Sequence, residues 1–288
     1  MAFNLQTFKT RALTSVVFVA VMLAGIFINQ WTFLVLFSVV HFGCWFEYQK
    51  LVRLIDPAYA TINKVHQYAV MLAGWGFMLW MATAVFNIHQ VNVSYIGGIL
   101  GISMFAVTIV AALLQRPLNP RLISHSIFGL LYISLSWGLL VNIYCMGVNR
   151  GADFGPYIIM ILIAIIWIND TMAYIVGSFI GKTPLSSISP KKTWEGTAGG
   201  ALLAVAVVTA VCYYAFSLPV LPVLLLAVVV AVTGTLGDLL ESKLKRLAGV
   251  KDSGSIMPGH GGFLDRFDSL LLATPFAWLL LYIIERAS

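Results

Sequence analysis

Long uninterrupted apolar stretches constrain the fold of this chain more than any other feature. Most approach or exceed the roughly 20 residues that a helix needs to cross a bilayer. They are continuous rather than alternating, which excludes a transmembrane β-barrel. The sequence therefore predicts an all-α integral membrane protein, a polytopic bundle of about nine transmembrane helices. The predicted spans are 12–29, 31–46, 66–86, 93–114, 122–147, 155–180, 197–217, 219–240 and 264–284.

The composition supports a membrane protein and argues against other classes. The mean hydropathy is +0.93, and only 10% of the residues are charged, which lies far outside the soluble range. The cysteines, Cys44, Cys145 and Cys212, all lie in apolar stretches without a Cys-x-x-Cys pair, so neither a disulfide framework nor a zinc site is indicated. The net charge of +6 is better explained by orientation and anionic lipid than by nucleic acid.

The positive charges in the loops predict how the chain is oriented. If the chain crosses the membrane at each predicted span, all but two of its 17 Lys and Arg residues fall on one side, the exceptions being Arg150 and Arg286. Cytoplasmic loops carry an excess of positive charge. We therefore expect a cytoplasmic N-terminus and an external C-terminus. The separate expectation for localisation is a bacterial inner membrane. The polar loops 181–196 and 241–263 should both face the cytoplasm.

Unusual polar residues are concentrated in the second half of the chain. We divide it into an N-terminal transmembrane region, 1–150, with about five helices, and a C-terminal catalytic transmembrane region, 151–288, with about four. Of the 11 acids, Glu47, Asp56, Asp153 and Glu285 lie at span ends or in loops, where we interpret them as solvated or capping residues. The other acids follow residue 169 and lie toward the cytoplasmic side: Asp170, Glu195, Asp238, Glu241, Asp252, Asp265 and Asp268.

Three predicted spans each contribute an acid near one membrane face, namely Asp170, Asp238 and Asp265. A charge within a span costs several kcal/mol unless it is paired or hydrated. Each acid by itself is compatible with a helix-end role, since carboxylates are favoured in a first helical turn. As a set they indicate a hard-cation site suited to Mg²⁺. Zinc is disfavoured because His260 has no partner at ligand spacing.

Basic residues and glycines surround these acids in the sequence. Basic loops at the inner surface ordinarily serve orientation and contact with anionic lipid. Beside a hard-cation site, they predict a polyphosphate clamp, and the glycines of "PGHGG" allow close approach of backbone N–H groups to a ligand. The candidates are Lys182, Ser189, Lys191, Lys192, Thr193, Lys243, Lys245, Arg246, Lys251, Gly261 and Gly262.

The run "SKLKRLAGVKDSGSIMPGHGGFLDRFD" resembles the signature of the phosphatidate cytidylyltransferase (CDP-diacylglycerol synthase) family. The upstream block "NDTMAYIVGSFIGKTPLSSISPKKTWEGTAGG" is also similar to that family, so the resemblance extends over 169–270. The matching signature positions are Ser242, Lys245-Arg246, Lys251-Asp252, Pro258, His260-Gly261-Gly262 and Asp265-Arg266-x-Asp268.

The resemblance implies a reaction, cofactors and an assembly. CTP and phosphatidate would react to give CDP-diacylglycerol and pyrophosphate at the surface of the lipid bilayer. The family's metal-binding aspartates match Asp238 and Asp265, which implies Mg²⁺ dependence, with K⁺ as a possible second ion. A homodimer is plausible by the same resemblance.

The residue pattern and the resemblance lead to one hypothesis for the site. Asp238 and Asp265 hold Mg²⁺, and Asp268 and Asp170 support it as nearby metal-site acids. His260 positions a phosphate or its loop, because a phosphate nucleophile needs no general base. Phosphates are contacted by Lys191, Lys192, Lys245, Arg246, Lys251 and Arg266, and the substrate-binding set further includes Lys182, Ser189, Thr193, Gly261 and Gly262.

Two alternatives of different kinds remain open from the sequence. A CDP-alcohol phosphotransferase requires an Asp-Gly element, and no Asp-Gly pair occurs in this chain. An ion-coupled transporter with intramembrane carboxylates predicts acids at the midplane and on both faces. The acids of this chain gather toward one face, which favours the enzyme.

Overall fold

A computed structural model describes residues 5–88, 91–115, 119–150, 154–256 and 261–287, and helices account for most of them. In the N-terminal half the helices are α1 (Leu5–Phe27), α2 (Gln30–Ile55), α3 (Lys64–Trp80), α4 (Val93–Leu114), α5 (Pro120–Gly129) and α6 (Leu135–Arg150). The C-terminal half contains α7 (Phe154–Ile180), α8 (Trp194–Phe216), α9 (Val220–Leu247) and α10 (Leu264–Ala287).

Short elements join some of these helices. A π-helical turn, Leu130–Ser134, connects α5 to α6, so the two form one continuous rod. Two 3₁₀ turns, Pro57–Thr61 and Thr83–Val85, follow α2 and α3. The strands β1 (Asn87–Ile88) and β2 (Val91–Asn92) form a small antiparallel ribbon before α4, in which Asn87 pairs with Asn92.

The all-α membrane architecture predicted from the sequence is confirmed. Among the described residues, seven helices are long and apolar enough to cross a bilayer, counting α5 and α6 as one. Of the two further predicted spans, 12–29 corresponds to a shorter apolar helix, Ala12–Phe27 within α1, and 66–86 overlaps α3, which has 17 residues. The count of nine crossings and the cytoplasmic N-terminus stay predictions.

The helix boundaries follow from local chemistry. Asn29 caps α2 by accepting from the backbone N–H groups of Trp31 and Thr32, which otherwise lack intrahelical partners. Between the predicted spans 197–217 and 219–240, α8 ends at Ser217 in the left-handed conformation, and α9 begins directly after Pro219. Pro222 lies in the first turn of α9, where a missing N–H costs little.

The prediction that 241–263 is a loop is partly wrong, because α9 continues to Leu247. The predicted apolar span ends at residue 240, but the helix continues through charged residues to Leu247. Gly249 ends it with φ +69°, and the N–H of Val250 donates to the Lys245 carbonyl at 3.0 Å, a glycine C-cap. Glu241, Lys245 and Arg246 are therefore helical residues.

Buried aromatic side chains hold the N-terminal helices against the start of α10. Trp137 of α6 lies 5.3 Å from Phe37 of α2 and 5.4 Å from Phe267 of α10, between ring centroids. Phe33 stacks on Tyr144 at 4.1 Å. These rings bury large apolar areas, so α2 and α6 brace the helix that carries Asp265 and Asp268.

Candidate active site

A polar cavity of about 500 Å³ lies between α7, α9, α10 and the loop before α8. The four acids assigned to the metal site from the sequence, Asp170, Asp238, Asp265 and Asp268, all line this cavity. Four of the predicted substrate-binding residues line it as well: Ser189, Lys191, Lys192 and Thr193. Acids from three different helices therefore meet lysines from a loop, although the role of each residue stays a prediction.

Asp238 of α9 faces both a cation and a second acid. Its Oδ2 forms an ion pair with Lys192 Nζ, and Asp268 lines the same cavity. Two neighbouring carboxylates repel each other unless a proton or a cation is shared between them. The pair thus provides oxygen donors of the kind that a hard cation prefers.

Asp265 is held by several donors at the start of α10. Its Oδ1 accepts from Lys245 Nζ at 2.7 Å. Its Oδ2 accepts from the backbone N–H of Gly262 at 2.7 Å and of Ser253 at 2.8 Å, and lies 2.9 Å from Ser253 Oγ. Gly261 adopts φ +82°, and a Cβ there would collide with this carboxylate. Asp265 therefore organises the backbone on both sides of 257–260 while it faces the cavity.

Lys245, predicted to contact phosphate, forms ion pairs with two carboxylates of the protein. Its Nζ lies 2.5 Å from Glu241 Oε2 and 2.7 Å from Asp265 Oδ1. Glu241 is fully buried, and a buried carboxylate is costly unless it is paired. Lys245 thus neutralises the buried Glu241 and the cavity-lining Asp265, in addition to any contact with phosphate. Glu241 was among the acids noted in the sequence, but its pairing with Lys245 was not predicted.

The loop before α8 is folded as a tight hairpin that presents Lys191 and Lys192 to the cavity. Pro184 and Thr193 form an antiparallel bridge, and the N–H of Leu185 donates to the Lys192 carbonyl at 2.7 Å. Thr193 caps α8 through the N–H of Gly196. The Glu195 carboxylate accepts from the N–H groups of Lys182 and Thr183. Glu195 thus stabilises the beginning of this loop.

Several predicted site residues lie away from the cavity lining. Lys182, Arg246 and Lys251 are exposed, and Arg246 Nη1 donates to the Val250 carbonyl at 3.3 Å at the end of α9. Arg266 lines a smaller cavity of about 110 Å³, which also contacts Phe18 of α1 and shares Asp170, Asp265 and Asp268 with the main one. His260 and Pro258 lie outside the described residues.

Glu47 of α2 is a site residue that sequence reasoning missed: of the two roles predicted for it, solvated or capping, the solvated one is wrong. It is buried. Its Oε1 accepts from the N–H of Phe263 at 2.9 Å, and its Oε2 from the N–H of Leu264 at 2.9 Å and from Ser253 Oγ at 2.7 Å. An acid in the apolar context "CWFEYQK" could have indicated a buried functional residue. Its partner could not be predicted, because Leu264 lies 217 residues away in the sequence.

Two neutral residues beside the acids were also missed. Asn169 is buried next to Asp170, and its Nδ2 donates to Thr235 Oγ1 at 3.2 Å. Both residues line the main cavity. The bond joins α7 to α9 at the depth of the acids, so it fixes the spacing between the helices that carry Asp170 and Asp238.

The donor set fits a cation that completes its shell with substrate or water. Within the described ranges, no group of three or more His, Cys, Asp or Glu residues is close enough to form a metal cage by itself. Mg²⁺ is commonly bound by one or two carboxylates together with substrate phosphates. Asp238 and Asp268 supply such a pair. For Asp265 Oδ1 to bind the cation, it would first have to lose its hydrogen bond from Lys245 Nζ.

Comparisons with known proteins agree with the resemblance. The profile of the cytidylyltransferase family matches residues 9–284. A phosphatidate cytidylyltransferase of Bacillus subtilis (strain 168) is 32% identical over 279 residues, covering 95% of this chain and 97% of the relative. One of Helicobacter pylori (strain J99) is 34% identical over 218 residues, covering 76% and 73%. Phosphatidate cytidylyltransferase 5, chloroplastic, of Arabidopsis thaliana is 37% identical over 207 residues, covering 64% and 52%. The chain belongs to the cytidylyltransferase family.

Proposed function

We propose that this protein is a phosphatidate cytidylyltransferase, which transfers CMP from CTP to phosphatidate and yields CDP-diacylglycerol and pyrophosphate. The observation that carries the proposal is the cavity in which Asp238 and Asp268 face Lys191 and Lys192 among apolar helices. Acids and lysines together suit a ligand made of phosphates and a cation. Membership of the cytidylyltransferase family supports the same reaction.

The chemistry requires positioning more than activation. A phosphate oxygen of phosphatidate forms a bond to the α-phosphorus of CTP, and the bond from that phosphorus to the bridging oxygen of the β-phosphate breaks, releasing pyrophosphate. The nucleophile is already ionised, so no general base is needed. Lys191 and Lys192 would bind the phosphates and offset charge that accumulates on them.

We propose Mg²⁺ as the resident cation, held by Asp238 and Asp268, with Asp170 and Asp265 lining the same cavity. When bound, it would supply a Lewis acid that neutralises phosphoryl charge. Lys192 would then shift from Asp238 to a substrate phosphate. A K⁺ ion and a homodimer are carried over from the family resemblance alone.

The apolar helices explain how the two substrates meet. Phosphatidate keeps its acyl chains in the bilayer, while CTP arrives from water. We propose that the protein lies in the inner membrane of a bacterium with this cavity open to the cytoplasm, as the basic loops predict. The transporter alternative has no support from the family assignment.

The test is turnover of purified protein in lipid nanodiscs. CTP labelled at the α-phosphate is incubated with phosphatidate and Mg²⁺, and we expect label in the organic phase together with released pyrophosphate, only when both substrates are present. ATP and GTP serve as nucleotide controls. Absence of product with phosphatidates of several acyl compositions would overturn the proposal.

A further inference from the structure

We infer that Glu47 is a positioning residue for the proposed reaction: from α2 it clamps Ser253 and the start of α10, and thereby holds Asp265 at the cavity. This inference rests on the proposed function. Glu47 lies outside the signature stretch and outside the residues that line the main cavity. Its effect must therefore pass through the groups that it binds.

The first argument is the match between donors and oxygens. The N–H groups of Phe263 and Leu264 belong to the start of α10, where backbone donors have no intrahelical acceptor. Glu47 accepts both of them at 2.9 Å. A carboxylate at a helix N-terminus also interacts favourably with the helix dipole. An acid on a distant helix thus caps α10 at its first residue.

The second argument is the space left for this carboxylate. A Cβ added at Gly254 or at Gly262 would collide with the Glu47 carboxylate. Both backbones therefore approach the acid more closely than any residue with a side chain allows. Gly262, predicted from the sequence to contact substrate, is explained here by the acid that it packs against.

The third argument is the shared hydroxyl that joins Glu47 to Asp265. Ser253 Oγ lies 2.7 Å from Glu47 Oε2 and 2.9 Å from Asp265 Oδ2. The hydroxyl has one proton, so it donates to one acid at a time, while the Ser253 N–H donates to Asp265 at 2.8 Å. Movement of Ser253 would change the position of Asp265 and of its partner Lys245.

Packing of α2 alone does not require an acid here. Cys44, Trp45, Tyr48 and Leu51, which are buried near it on this helix, are apolar or aromatic, and the buried Gln49 is neutral. A buried carboxylate costs free energy unless donors surround it. Among the described residues its donors are Ser253, Phe263 and Leu264, so the carboxylate stabilises the segment that joins α9 to α10.

The decisive variant is Glu47→Gln. The amide keeps the size of the side chain but replaces one acceptor oxygen with an NH₂ donor. In either orientation of the amide, this NH₂ group faces a backbone N–H, so one hydrogen bond is lost. Loss of one charge-assisted bond and the resulting displacement should lower kcat on the order of 10- to 100-fold, with KM for CTP changed less than about threefold. Ser253→Ala, which removes only the shared hydroxyl, should lower kcat in the same direction and by less.

The matched control is Gln49→Leu. Gln49 is also buried on α2, but its Nε2 donates to the Gln67 carbonyl at 2.9 Å, within the N-terminal half. This variant should lose thermal stability and keep kcat within about threefold of the parent. If Glu47→Gln and Gln49→Leu lower kcat equally for an equal loss of thermal stability, Glu47 has only a general folding role and the inference is wrong.

A second readout works without turnover. Ser255 is exposed, and the native cysteines are buried, so Ser255→Cys provides a single reactive thiol. Its labelling by a water-soluble maleimide should be faster in the Glu47→Gln background and unchanged with Gln49→Leu. Unchanged labelling or an unchanged kcat would each overturn the inference. If the parent protein has no activity, the proposed function fails, and the labelling rates alone decide whether the clamp exists.

Discussion

Lys192 Nζ forms an ion pair with Asp238 Oδ2 across the cavity, joining the hairpin before α8 to α9. The contact places a lysine ammonium group on an acid proposed to bind Mg²⁺. It explains how the acid stays compensated before metal and nucleotide arrive. If Mg²⁺ binds Asp238 as proposed, it competes with Lys192, and substitutions of either residue should change the Mg²⁺ concentration needed for activity.

Asp238→Asn should reduce kcat at least about 100-fold, because the amide removes a charge from the proposed cation site and leaves Lys192 without its partner. The measurement is transfer of labelled CMP at saturating CTP. Asp56→Asn is the control, since Asp56 pairs with Arg121 at the end of α2 and lies away from the cavity. Activity of Asp238→Asn close to that of the control would remove Asp238 from the metal site.

Asp268→Asn should raise the Mg²⁺ concentration needed for half-maximal activity about tenfold, since one of two paired carboxylates is lost. Chelation of divalent ions should abolish turnover of the parent protein, and added Mg²⁺ should restore it. The comparison is a Mg²⁺ titration of parent and variant. An unchanged midpoint would indicate that Asp268 does not hold the ion.

Lys191→Ala should raise KM for CTP about tenfold, because Lys191 lines the cavity and a lost charge-assisted contact is worth that factor. Lys182→Ala should leave KM within about twofold, because Lys182 is exposed and lies outside the lining. The sequence assigned both lysines to substrate. Equal changes of KM for CTP in the two variants would show that lining the cavity does not predict which lysine binds substrate.

Lys245→Met should destabilise the fold by about 3–5 kcal/mol, because it leaves Glu241 and Asp265 without their shared cation. Thermal unfolding in detergent measures this loss. The double variant Glu241→Gln/Lys245→Met should recover part of it by removing one of the two uncompensated charges. No recovery would show that the destabilisation comes from lost packing of the lysine stem instead.

Gly262→Ala should lower activity more than about tenfold, because the added Cβ would displace Glu47 or the start of α10. Gly98→Ala in α4 is the matched control. Its Cβ would meet only Trp80, at an ordinary contact distance of 3.4 Å. Both variants are compared in turnover and thermal stability. Equal behaviour of the two would contradict the close packing of Gly262 against Glu47.

Much of the candidate site was predictable because its signals are local. Acids are rare in apolar spans, so Asp170, Asp238 and Asp265 stood out, and the cavity contains all three. The end of a helix was less predictable than its apolar span. Hydropathy identifies only the apolar part of α9, whereas backbone hydrogen bonds continue the helix past Lys245. Distinguishing Lys191 from Lys182 also required coordinates, because both are lysines of one loop.

The sequence by itself determined the membrane-spanning helical class, the family resemblance and the acids and lysines from which a site is built. These follow from hydropathy, residue type and spacing along the chain, which are local properties. Only the tertiary structure decided which partners those residues have. Glu47 binds Leu264 across 217 positions, and Lys245 bridges Glu241 and Asp265. Such pairings depend on how helices pack in space, and a buried charge is stable only where that packing brings donors to it.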